Sequence, residues 1–85
     1  MKVIDYVITD PVGIHARPAG QLAKLAKEVE SKVTIEFDDK SADAGRLLAV
    51  MGLGIKSGDK MTVKIEGADE EAAAVKVEEF LKNNL

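Results

Sequence analysis

Residues 13–19 read Gly-Ile-His-Ala-Arg-Pro-Ala, and His15 is the only histidine in the chain. An imidazole is a nucleophile and proton acceptor near neutral pH. A guanidinium two residues on, Arg17, can grip a doubly charged oxyanion through two charge-assisted hydrogen bonds. A helix start leaves backbone N–H groups without partners and collects the positive end of the peptide dipoles, so it binds phosphate. If a helix begins at Ala16, His15 is its N-cap. The unpartnered N–H groups of Ala16 and Arg17 then point toward whatever the imidazole carries. Pro18 has no N–H and is tolerated in a first turn, and it restricts Arg17 before it. Gly13 leaves the backbone free to bring the imidazole round to the helix end. Histidine is a mediocre N-cap, so helix stability is a poor reason for its place. A nucleophile, oriented amides and an arginine suit a transient phosphohistidine, because positioning and charge stabilisation carry most of phosphoryl transfer.

Other chemistries fit less well. One histidine and no cysteine cannot build a usual metal site. No serine sits in a recognisable nucleophile elbow. A hydrolase would need a group beside His15 to activate water, and the local sequence offers none. A formal net charge of −3 and few aromatics argue against nucleic acid as partner. The absence of cysteine also excludes a disulfide framework and suits a reducing, cytoplasmic setting. The first ten residues, interrupted by Asp5 and Asp10, do not read as a secretory signal. No stretch approaches the ~20 apolar residues that a membrane helix needs.

The site must be positioned by a small framework of 85 residues, which fits one domain spanning 1–85. Residues 2–8, 32–37 and 60–67 alternate as strands. Asp38-Asp39-Lys40 is a tight turn into a short strand near Ser41. Residues 16–29 have helical spacing, with Ala19, Leu22, Ala23, Ala26 and Val29 on one face. Residues 47–53 form a short apolar helix bracketed by Gly45, Gly52 and Gly54. Residues 69–84 form a last helix whose buried face is Ala73, Val77, Phe80 and Leu81. Its start is acidic, which suits the positive end of the dipole. The order β-α-β-β-α-β-α predicts an α+β layer, a four-stranded, mainly antiparallel sheet covered on one face.

Two surfaces flank the histidine. Arg17, Gln21, Lys24 and Lys27 group on the side of the first helix away from its core stripe, with Gly20 between them allowing close approach. They make a basic rim that suits an acidic partner. In the short helix Leu47, Leu48 and Met51 share one side, while Val50 and Leu53 can turn toward the sheet. That helix is too apolar to be wholly buried in so small a domain, and an exposed apolar patch marks a binding surface.

Gly-Ile-His-Ala-Arg-Pro-Ala followed by a helix resembles the active-site signature of the HPr family, the histidine-containing phosphocarriers of the bacterial sugar phosphotransferase system. The similarity runs over the whole chain. The stretch from Lys40 to Asp59 resembles the family's short helix and following loop, and Glu66–Ala73 its last-helix entrance. The resemblance implies an open-faced β-sandwich with three helices on one face. It implies that His15 takes a phosphoryl group on Nδ1 from phosphorylated enzyme I and passes it to IIA domains of sugar transporters, with Arg17 stabilising the phosphate. It implies docking through Leu47, Leu48, Met51 and Leu53, with Lys56 beside them. The expected protein is a monomeric carrier with no cofactor, no metal and no membrane insertion, not a catalyst in its own right. One position departs from many relatives: Arg46 stands where they carry a serine that a dedicated kinase phosphorylates. Serine-based regulation is therefore not supported here, since neither Ser41 nor Ser57 matches that position. Arg46 adds positive charge to the docking face and keeps open a second reading, a nitrogen-branch or regulatory relative using the same histidine.

Overall fold

The computed structural model describes all 85 residues. Its elements are β1 (Lys2–Val7), α1 (Ala16–Glu28), β2 (Lys32–Phe37), β3 (Lys40–Asp43), α2 (Leu47–Met51), β4 (Lys60–Glu66) and α3 (Glu70–Asn84). The strands form one sheet in the order β1-β4-β2-β3. Every neighbouring pair is antiparallel, so the sheet is more regular than the mainly antiparallel one expected. The β2–β3 hairpin turns on Asp38 and Asp39, both at positive φ (50° and 64°). This is the mirror-image turn whose twist matches the flanking strands.

Strand alternation separates two faces. Val33, Ile35, Met61, Val63 and Ile65 point inward and are buried, each at 2% exposure or less. They meet Ala19 and Leu22 of α1, Val50 of α2 and Ala73, Val77 and Leu81 of α3 in one hydrophobic cluster. Burying a side chain of this size contributes about 1.5–3 kcal/mol, which is why period-two strands and helical stripes end up facing each other. The opposite face is open and polar. There the Thr62 hydroxyl donates to Asp5 at 2.8 Å, and Lys64 pairs with Glu36 at 3.1 Å.

Two details differ from expectation, those of Phe80 and Pro18, and a third, that of Leu53, resolves an open one. Phe80 is only half-buried, packed against the edge of the core. Pro18, expected only to be tolerated in the helix start, is buried and anchors it. Leu53 is 6% exposed, folded inward beside Val50.

Two polar clasps fix the ends of the helices. The Asp69 carboxylate accepts from the Glu30 N–H at 3.0 Å, the Ser31 N–H at 2.8 Å and the Ser31 hydroxyl. Those bonds, the Ser31 hydroxyl first, hold Asp69 below the ordinary carboxylate range. At the other end, the Leu85 carbonyl accepts from the backbone N–H groups of Thr9 (2.6 Å) and Asp10 (2.9 Å) and from the Thr9 hydroxyl (2.8 Å). This ties the end of α3 to the segment that leads into α1.

Candidate phosphoryl-carrying site

The segment before α1 is built by short-range bonds. The Asp10 carboxylate accepts from the Val12 N–H at 2.8 Å, an Asx turn, and the Asp10 carbonyl accepts from the Gly13 N–H at 3.0 Å. Gly13 has φ +78°, and its Cα lies against the backbone of Ile55 and Lys56. The Ile14 N–H then donates to the Ile55 carbonyl at 3.1 Å. So the residues just before His15 are fastened to the loop that follows α2, although about forty residues separate them in sequence.

His15 is the N-cap of α1, with extended backbone (φ −123°, ψ −176°). Its carbonyl accepts the first helical bond, from the Ala19 N–H at 3.0 Å. Its side chain makes no capping bond, which leaves the imidazole uncommitted at the helix start. No acidic side chain lies in that first turn to neutralise the dipole. The N–H groups of Ala16 and Arg17 have no backbone acceptor, and Pro18 supplies no N–H. The His15 side chain is half-buried and Arg17 is exposed. Arg17 makes no ion pair within the chain, so its fork is free for an added anion.

The flanking surfaces come next. Arg17, Gln21, Lys24 and Lys27 are all exposed along α1, and Gly20 is half-buried with open space where a Cβ would stand. Helix α1 packs against α2. The methylenes of Lys27 pass beside Gly45, so Lys27 comes next to the turn carrying Arg46. Arg46 is the N-cap of α2, exposed and without a side-chain capping bond. In α2, Leu48 is 80% exposed and Met51 37%, while Leu47 is half-buried. Of the two residues that could turn toward the sheet, Leu53 does so as Val50 does. It is 6% exposed beside Val50 and Ile55 in the core cluster, so of the apolar residues expected at the docking surface it offers the least area. Lys56 is exposed in the loop that holds Gly13. None of Lys24, Lys27, Arg46 and Lys56 is engaged in an ion pair.

The supporting roles of Thr9, Asp10 and Ile14 were not singled out from sequence. The turn chemistry of Asp10-Pro11 was a visible signal for one of them. The bond from Thr9 to Leu85 had no local signal, since its partner is 76 residues away.

The chain matches the PTS-HPr family model, described as the PTS HPr component phosphorylation site, over residues 3–83. It is 41% identical over 73 residues to the phosphocarrier protein HPr of Lysinibacillus sphaericus, covering 86% of this chain and 83% of that one. It is 39% identical over 85 residues to the phosphocarrier protein HPr of Mycoplasma genitalium, covering 99% and 97%. Its fold superposes on a solved histidine-containing phosphocarrier protein from Mycoplasma with a TM-score of 0.93, at 33% identity over 96% of this chain and 93% of that one. No helix is long and apolar enough to cross a membrane.

Proposed function

The chain belongs to the PTS-HPr family of phosphotransferase-system phosphocarriers, and from that premise we propose that it accepts a phosphoryl group on His15 from phosphorylated enzyme I and delivers it to IIA domains of sugar transporters. The observation that supports this most is the helix start: an uncommitted imidazole, two N–H groups without backbone acceptors and an arginine with no partner, all within three residues. The imidazole nitrogen attacks phosphorus, and the N–P bond forms as the donor's bond to phosphorus breaks. The amides of Ala16 and Arg17 and the Arg17 guanidinium stabilise charge on the transferring oxygens. Onward transfer is the same step in reverse, with the acceptor's nucleophile as the attacking group. The site is open, so a partner can approach the phosphorus in line.

Docking is by one face for both partners. Leu48 and Met51, with half-buried Leu47, form an apolar centre. Arg17, Lys24, Lys27 and Arg46 surround it with positive charge, which speeds encounter with an acidic partner. Gly20 and Gln21 allow close approach, and Lys56 extends the rim. The protein acts as a monomer in the cytoplasm.

The test is a relay in two stages. The chain is loaded by enzyme I and phosphoenolpyruvate, purified, and mixed with an isolated IIA domain. Movement of the label to the IIA domain supports the reading. A loaded chain that transfers to no IIA domain contradicts the second half of it. Loading by a nitrogen-branch enzyme I alone replaces it with the nitrogen-branch reading that Arg46 keeps open.

A further inference from the structure

The chain has three methionines, and the structure gives them three different settings. Met61 is fully buried at 0% exposure inside the core, and Met1 is 62% exposed at the chain start. Met51 is 37% exposed at the end of α2, one turn from Leu48. It lies outside the buried core. Helix α2 is held on the core by Val50 and half-buried Leu47, with Leu53 just beyond it. Met51 therefore contributes its thioether to the apolar patch while the rest of its side chain stays partly covered. That thioether is the only oxidisable group in the patch, since Leu47 and Leu48 carry hydrocarbon alone.

We propose that Met51 is an oxidation-sensitive control point on the docking surface, where a hydroperoxide turns the thioether into a sulfoxide and weakens partner docking without unfolding the chain. The inference rests on the docking reading above. The chemistry balances with one co-reactant. The sulfur lone pair attacks one oxygen of the hydroperoxide, and the S–O bond forms as the O–O bond breaks. The hydroperoxide's proton ends on the departing oxygen, giving water or an alcohol. Sulfur loses two electrons and the hydroperoxide gains them. The product is a polar, chiral group in the middle of an apolar contact. A partner that covers it must desolvate that oxygen without a designed donor. The basic rim and His15 are left unchanged, so the effect falls on docking and not on the transfer step. Reduction of the sulfoxide by a methionine sulfoxide reductase makes the change reversible.

The experiment treats the folded full-length chain with hydrogen peroxide and maps oxidation by peptide mass. It then measures phosphoryl uptake from enzyme I at varied carrier concentration. The expected result is oxidation of Met51 and Met1 well ahead of Met61. Oxidised protein shows an apparent KM for the carrier raised about tenfold, equivalent to the loss of one good interface contact. Its kcat and urea midpoint are unchanged. Compared with its own untreated KM, Met51→Leu does not respond to peroxide, and reductase treatment restores the wild type. The proposal is overturned if fully oxidised Met51 leaves KM unchanged, or if Met51→Leu loses as much as wild type on treatment. A Leu48→Ala arm separates the two levels. A raised KM in Leu48→Ala with none in the sulfoxide sinks the oxidation proposal alone. An unchanged KM in both sinks the docking reading with it.

Discussion

Gly13 should be the most sensitive position near the site that takes no part in chemistry. Its φ of +78° lies in the left-handed region, and a Cβ there would stand 2.8 Å from both the Ile55 carbonyl oxygen and the Lys56 Cα. Both neighbours are backbone, so neither can rotate away. Gly13→Ala therefore meets a conformational cost of about 1–2 kcal/mol and an overpacking cost of about 1–3 kcal/mol. The expected loss is about 2–5 kcal/mol, taken from a total stability of about 5–15 kcal/mol for a small domain. Most of the protein stays folded, but the contact that fastens His15 to the 55–56 loop is pushed apart. A misplacement on the order of 1 Å can cost about a hundredfold in rate, so phosphoryl uptake should fall by about tenfold to a hundredfold in the folded fraction. Gly20→Ala is the control for stability. It lies within α1 with nothing within 4 Å of a new Cβ, so it should gain about 0.5–1 kcal/mol. Urea unfolding and uptake from enzyme I give both quantities. Equal stability of the two variants, or a destabilised Gly13→Ala with wild-type uptake, would refute the reasoning.

Three further outcomes follow from the packing and the clasps. Leu22→Ala, at a 1% exposed core position, should lose about 2–5 kcal/mol, whereas Leu48→Ala, 80% exposed, should stay within about 0.5 kcal/mol of wild type; urea midpoints decide it. Asp39→Gly should stabilise the hairpin by no more than about 1 kcal/mol, the side-chain cost of φ 64° being small for Asp and partly offset by the glycine's greater loss of freedom, seen as a slightly raised thermal midpoint. Asp69, through the Ser31 hydroxyl above all, and Glu70, through its hydrogen bond to the N-terminal ammonium, are held below their ordinary values of 3.8 and 4.5. Depressed carboxyls favour the fold above those values, so this stabilisation is full near neutral pH and is lost as pH falls through about 4.5 and below. Asp69→Asn should lower the urea midpoint at pH 7 and reduce its fall toward pH 3.

The strands could be read from sequence because one face of the sheet is dry and the other wet. Val33, Ile35, Met61, Val63 and Ile65 alternate without a break. The first helix could be read for the same reason, and its start from the chemistry of His15, Arg17 and Pro18. What was not readable was anything that depends on distant packing. The short helix carries five apolar residues, and composition cannot say which of them the core accepts. Only the structure buries Val50, half-buries Leu47 and leaves Leu48 open. The Gly13 contact with residues 55–56 and the Thr9 bond to Leu85 are likewise tertiary, and no periodicity announces them. The half-burial of Phe80 reflects the narrow core: three smaller residues of α3 fill it and leave the ring at its rim.

The central claim is that His15 carries the phosphoryl group. The direct measurement is intact mass of the chain after incubation with phosphoenolpyruvate and a bacterial enzyme I, with His15→Ala alongside. The account predicts a gain of one phosphoryl group, lost on acid treatment and absent from the variant. A gain that survives acid, or one that His15→Ala shows equally, would contradict it.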